Sequence, residues 1–174
     1  MKEKKIRQTQ LGFTMIEMIV VVSILGLVAV MTSGFLLVSL TAAGKAEVVK
    51  EVRQNGNYAL SVMEGMILNS RGIGCTSGQN TQAVEVTDAN GIITSFICDE
   101  NEDKKKISSV SGQTIDLTSS SVVVSNCHFD CEGTSGLPVK VHLEFTVQKG
   151  GEDARPSEKA SLLFKTDVMP RNLN

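Results

Sequence analysis

The chain has 174 residues, 41% hydrophobic and 21% charged, with a formal charge of −2; that length makes one modest domain and excludes a large multidomain enzyme. It is too apolar and too weakly charged for a disordered tail, and 15 Gly with 3 Pro is far from a collagen-like or proline-rich polymer. A slight acid excess and an aromatic set of 6 Phe and 1 Tyr speak against a nucleic-acid binder, which needs a cationic footprint and stacking rings, so no direct nucleic-acid contact is expected.

Residues 1–12, MKEKKIRQTQLG, set Lys2, Lys4, Lys5 and Arg7 against Glu3, a basic flank of the kind retained in the cytoplasm. From Met18 to Leu40 no residue is charged; only Ser23, Gly26, Thr32, Ser33, Gly34 and Ser39 interrupt the apolar run. About 20 apolar residues cross the hydrocarbon of a bilayer, and a lone spanning segment satisfies its backbone only as a helix. A transmembrane helix over about 18–40 follows, with everything beyond it outside the cytoplasm. Glu17 lies inside the apolar stretch that begins at Phe13. A carboxylate at that depth needs a partner or a pathway, unless it sits at the membrane edge in headgroup water.

The run Gly12-Phe13-Thr14-Met15-Ile16-Glu17 behind a short basic leader resembles the class III signal of type IV prepilins, and the resemblance continues through Met18 to Leu27. It implies that a membrane peptidase cuts between Gly12 and Phe13, that the new N-terminal Phe13 is N-methylated, and that Glu17 guides addition of the subunit to a filament. Gly34 stands where many major pilins have a helix-kinking proline, so a straighter helix is expected. A secretory signal fits poorly, because its apolar region spans only about 7–15 residues and Thr41-Ala42-Ala43 is a weak cut. A lipoprotein signal needs a cysteine at the cut, and the first cysteine is Cys75.

Beyond the apolar run, Val48/Val49, Val52, Ala59/Leu60, Met63 and Met66/Ile67 recur at helical spacing among charged residues, and no proline occurs before Ile73. One helix is predicted from about Phe13 to about Asn69, with Gly56 and Gly65 as weak points and the glycines of Ser70-Arg71-Gly72-Ile73-Gly74 as its C-terminal turn. The period then changes to alternation. Residues 82–87 and 92–97 flank Asp88-Ala89-Asn90-Gly91, a hairpin signal. The charge run Asp99 to Lys106 reads as a solvated loop, and Thr114–Thr118 and Ser121–Ser125 as short strands. Val139 to Gln148 alternates apolar with polar residues, the mark of a half-buried strand, and Lys159 to Val168 forms the last one. The close, Met169-Pro170-Arg171-Asn172, is similar to the ends of many minor pilins and pseudopilins.

Cys75, Cys98, Cys127 and Cys131 all fall on the extracytoplasmic side, where disulfides form. Of the three pairings open to four cysteines, Cys75–Cys98 with Cys127–Cys131 is favoured; Cys98–Cys127 with Cys75–Cys131 stays open. A competing zinc reading rests on Cys127-His128-Phe129-Asp130-Cys131, but the other two cysteines lack a short ligand spacing and His142 falls on the wet face of its strand. No metal and no cofactor are expected. Without a GxSxG elbow, a Walker loop or an HExxH pair, no enzyme is expected either.

The expected fold is α+β: a cleaved basic leader over 1–12, a long N-terminal helix over 13–70, and an extracytoplasmic antiparallel β-sheet head over 71–174. The expected role is a structural subunit of a type IV pilus or type II secretion-like filament, a minor pilin or pseudopilin. The resemblance implies as partners other pilin subunits through a helix bundle, prepilin peptidase, a membrane assembly platform, and membrane lipid before assembly. It places the chain in the inner membrane and then in a cell-surface or periplasmic filament. Loss of residues 1–12 takes the formal charge from −2 to −5. The alternative is a membrane-anchored, adhesin-like binding domain that never polymerises.

Overall fold

The computed structural model of the protein describes residues 12–74, 83–99, 105–133, 139–151 and 153–171. The leader up to Leu11, Cys75, most of the charge run and Asn172 lie outside them. Among the described residues a helix, α1, runs from Met15 to Leu68 and is followed by eight strands, β1 (Gly72–Gly74), β2 (Ala83–Thr87), β3 (Ile93–Asp99), β4 (Lys106–Ser111), β5 (Gln113–Asp116), β6 (Val123–Glu132), β7 (Lys140–Lys149) and β8 (Ala160–Val168). The arrangement is α+β and pilin-like, as expected. The chain divides into two compact units, one ending at Thr41 and one starting at Ala42.

In the second unit, the strands form two antiparallel sheets, β1-β2-β3-β4-β5 and β6-β7-β8. Val52, Gly56, Ala59, Met63 and Ile67 of α1 are buried in one stripe, the spacing that keeps a single helical face on a core. They join a hydrophobic cluster that includes Val84, Phe96, Ile107, Phe129, Val141, Leu143 and Phe145. All four Phe beyond α1 are buried there, whereas Phe13 and Phe35 are 76% and 74% exposed. The helix end is held by the C-terminal segment, because the Arg171 N–H donates to the Leu68 carbonyl at 3.2 Å, satisfying one of the acceptors that a helix C-terminus leaves open.

Gly72 and Gly74 correct the expectation of a glycine helix stop. Neither adopts a positive φ; both lie in β1, paired with Thr87 and Glu85, and the Ser70 hydroxyl donates to the Ile67 carbonyl at 2.7 Å at the helix end instead. Gly56 is also more than a weak point. A Cβ built there falls 2.2–2.6 Å from ring atoms of Phe164, and that ring is stacked on Phe145 with centroids 5.5 Å apart. Gly56→Ala is therefore expected to cost a net of about 1–2 kcal/mol in chemical unfolding, the overpacking exceeding alanine's better helix propensity. Gly65→Ala is the control. Its Cβ meets nothing within 4 Å, so it is expected to be neutral or to stabilise by up to ~1 kcal/mol.

The expected hairpin forms from β2 and β3, with Thr87 opposite Ile93. Its turn relies on Asp88, whose Oδ1 accepts from the N–H groups of Asn90 and Ile92 at 2.7 and 2.8 Å, while Gly91 takes φ 82°. The Ile92 N–H, foremost, holds the Asp88 carboxyl below its usual pKa.

β6 is longer than the predicted Ser121–Ser125 strand, because it continues through an irregularity between Ser125 and His128. Asn126 there takes φ 48°, a left-handed value that asparagine tolerates, as in β-bulges. The bulge resets the alternation: Val124 is buried before it, and Cys127, Phe129 and Cys131 after it. Cys127 thereby turns inward to Cys98 of β3 and bonds to it, with Cα atoms 6.1 Å apart. The favoured pairing Cys75–Cys98 with Cys127–Cys131 is thus corrected. Cys127 and Cys131 are four residues apart on an extended strand, about 13 Å, beyond the ~7 Å that a disulfide bridges. Cys131 is itself disulfide-bonded, and Cys75 lies outside the described residues.

The α1 stripe is also tied to the strands by polar contacts. Glu51 accepts from the Lys149 ammonium of β7 and from the Ser121 hydroxyl, and Asn55 Oδ1 accepts from the Ser119 N–H at 2.8 Å. The Lys149 bond, then the Ser121 bond, lowers the Glu51 pKa from its usual value. A carboxylate whose pKa is depressed on folding stabilises the folded state above its unfolded pKa and loses that contribution as pH falls through the folded value. Glu51→Gln is therefore expected to lower stability by about 1 kcal/mol at pH 7, with the gap closing below about pH 4.5, as read by unfolding titrations along a pH series.

Candidate functional site

Gly12, Phe13 and Thr14 precede α1, outside any helix or strand, and are exposed. Thr14 starts the helix. Its carbonyl accepts the first helical bond, from Met18 N–H at 3.3 Å, and its Oγ1 accepts from the Glu17 N–H at 3.4 Å. Thr14-Met15-Ile16-Glu17 is thus the Thr-x-x-Glu pattern of a capping box, with the threonine half of it made. Glu17 lies in the first turn, where the helix dipole favours an anion by a few tenths to about 1 kcal/mol. The sequence reading missed the Thr14 cap itself; the Thr-x-x-Glu spacing was its signal.

A Cβ built on Gly12 meets nothing within 4 Å. From Phe13 to Ala46 every residue is exposed, including Ile16, Leu25, Leu36 and Leu40, each at least 60%. α1 therefore contains a stretch long and apolar enough to cross a membrane, none of it buried. Four hydroxyl residues there are satisfied within the helix: Ser23, Thr32, Ser33 and Thr41 donate to helix carbonyls three or four residues earlier at 2.8–3.0 Å. Such back-bonding satisfies the hydroxyl without water, as an apolar surrounding requires. Gly26 and Gly34 likewise have open space around them. α1 continues through Gly34 without interruption.

In the second unit, the thiolate zinc reading does not survive, since Cys127 and Cys131 are both in disulfides and face the core. On the opposite face of β6-β7-β8 the polar residues gather instead. His128 stands across from Glu144, and His142 across from Asp130 on one side and Asp167 on the other. His142 Nδ1 lies 2.6 Å from Asp167 Oδ1, and Lys140 Nζ lies 2.9 Å from Asp167 Oδ2. The Asp167 bond raises the His142 pKa above its usual value and raises that of Lys140; the His142 bond, first, and then that of Lys140 lower the Asp167 pKa.

Residues 7–33 match the family described as the prokaryotic N-terminal methylation motif, the leader signal of type IV pilins and pseudopilins. No curated protein and no solved structure matches the chain. The motif points to a structural, pilin-like subunit, and together with the apolar length of α1 it is consistent with anchoring in a membrane.

Proposed function

We propose that this chain, which carries the leader signal of type IV pilins and pseudopilins, is a structural subunit of a type IV pilus or type II secretion-like filament, entering it as a minor pilin or pseudopilin. Prepilin peptidase removes residues 1–12 by cutting after Gly12, and Phe13 becomes the N-methylated first residue. The apolar half of α1 holds the unassembled subunit in the inner membrane with the head outside the cytoplasm, then exchanges lipid for the helices of neighbouring subunits. The Phe13 ammonium created by the cut neutralises the Glu17 carboxylate of an adjacent subunit. Such a pair adds little net strength over two apolar residues, but leaving either charge alone costs about 3–5 kcal/mol, so the pair sets axial register.

The observation that carries this reading is the coincidence of Gly12, Phe13 and Glu17 with an apolar stretch of α1 that is wholly exposed from Met15 to Leu40. A plain membrane anchor accounts for the surface and leaves the three residues unexplained. Cross-linking of the full chain in its native membrane tests the proposal: products joined to other pilin-like subunits through residues 13–41 are expected. A chain that cross-links solely through its head to a non-pilin ligand is the non-polymerising binding domain instead.

A further inference from the structure

The outer face of β6 and β7 brings together an imidazole of one strand with an imidazole and a carboxylate of the next. His128, His142 and Glu144 each offer a ligand atom, and these atoms all lie within 4.8 Å of one another. The His142 Nε2 to Glu144 Oε2 separation is 3.5 Å, close to the edge of a tetrahedron around zinc, where ligands about 2.0–2.1 Å from the ion stand about 3.4 Å apart. The imidazoles are 6.3 Å apart, centroid to centroid, and tilted by 43°, so they converge without stacking.

The surroundings match what a metal-bound histidine requires. A ligating imidazole commonly gives its other ring nitrogen to a carboxylate, which fixes the tautomer and aims the free nitrogen at the ion. His142 does this here, with Nδ1 on Asp167 Oδ1 at 2.6 Å, while Asp167 is itself held by Lys140 at 2.9 Å. Asp130 Oδ2 lies 3.9 Å from His128 Nε2. The three ligand side chains are about 70% covered and sit on paired strands rather than loops, so their backbones are fixed by the ladder.

We propose that His128, His142 and Glu144 form a site for one borderline divalent transition-metal ion of the zinc class, with Asp167 as the positioning residue of His142. Two imidazole nitrogens and one carboxylate oxygen suit zinc and its neighbours in the transition series better than calcium or magnesium, which prefer all-oxygen sets. Three protein ligands leave an outward coordination position for water or for a group on another molecule.

The test uses the full chain in detergent, without a polyhistidine tag, titrated with zinc chloride by calorimetry and with cobalt(II) by visible absorption. One ion per chain, with a cobalt spectrum of low-symmetry four-coordination, is expected. His128→Gln, His142→Gln and Glu144→Gln are each expected to weaken zinc binding at least tenfold, and Asp167→Asn about tenfold with stoichiometry unchanged. Far-ultraviolet circular dichroism confirms that each variant is folded; these side chains lie on the outer face, so folding is expected to persist. Absence of binding to the parent chain at 100 µM zinc, on the order of the weakest useful site, overturns the proposal whatever the variants do. Binding that survives both His128→Gln and Glu144→Gln overturns it too.

Discussion

Replacing Cys98 and Cys127 together by alanine is expected to lower the unfolding free energy by about 3–4 kcal/mol, among the largest effects of any change in the described core. The bridge closes 29 residues of sequence, and the loop-closure entropy it withholds from the unfolded chain is about 3.6 kcal/mol for that length. The native state also depends on it locally. Cys98 belongs to the five-stranded sheet and Cys127 to the three-stranded one, and the hydrogen bond from Val124 N–H to the carbonyl of Lys105, the residue just before β4, is a further tie at 2.8 Å. For a chain of this size the loss corresponds to a melting temperature lower by about 7–14 °C. Thermal and guanidinium unfolding followed by circular dichroism reads it; a loss below about 1 kcal/mol counts against the bridge as a main staple.

Glu17→Ala is expected to leave the chain processed and inserted in the membrane but to reduce its incorporation into filaments by about a hundredfold or more. The size follows from the cost of about 3 kcal/mol or more for leaving the neighbour's Phe13 ammonium buried and unpaired. Glu17 also occupies the third position of α1, where Thr14 Oγ1 accepts from its N–H, so a defect in helix initiation is the competing cause. Glu17→Gln separates the two. Glutamine serves a capping box as glutamate does but carries no charge, and it is expected to be as defective as alanine. Incorporation of Glu17→Gln at the parent level assigns the residue to capping. The readout is the ratio of variant to parent in sheared filaments, normalised to the membrane fraction.

Much of the architecture was legible because it rests on periodicity. The helical stripe through Val52, Ala59, Met63 and Ile67 marked the buried side of α1, and strict alternation marked β7. Asp88 to Gly91 marked a turn through its residue types, although the Asp88 side chain, rather than a two-residue Asn-Gly turn, organises it. What was missed depends on partners distant in sequence. β4 reads KISSVS, with two serines where an alternating strand would show contrast. The predicted strand ends at Ser125, because the alternation breaks at Asn126, and only the pairing with β7 shows that the strand resumes with its faces exchanged. Spacing along the chain favoured a bond between Cys127 and Cys131, whereas the bulge directs Cys127 across the core to Cys98.

Gly56 shows the same limit, since nothing within helical reach reveals that the ring of Phe164 occupies the space of its absent side chain. The grouping of His128 with His142 and Glu144 is cross-strand and invisible to ligand-spacing rules, which look along one segment. At the N-terminus the balance is reversed. The matched motif over residues 7–33 is one continuous segment that spans Gly12, Phe13 and Glu17, so it can be read without any distant partner.

The most direct measurement is the intact mass and N-terminal fragment spectrum of the native chain, extracted from cells with active prepilin peptidase. A polypeptide beginning at Phe13 and carrying one methyl group on its α-amine is the expected result. A polypeptide that still begins at Met1, or one that begins near Ala43, contradicts it.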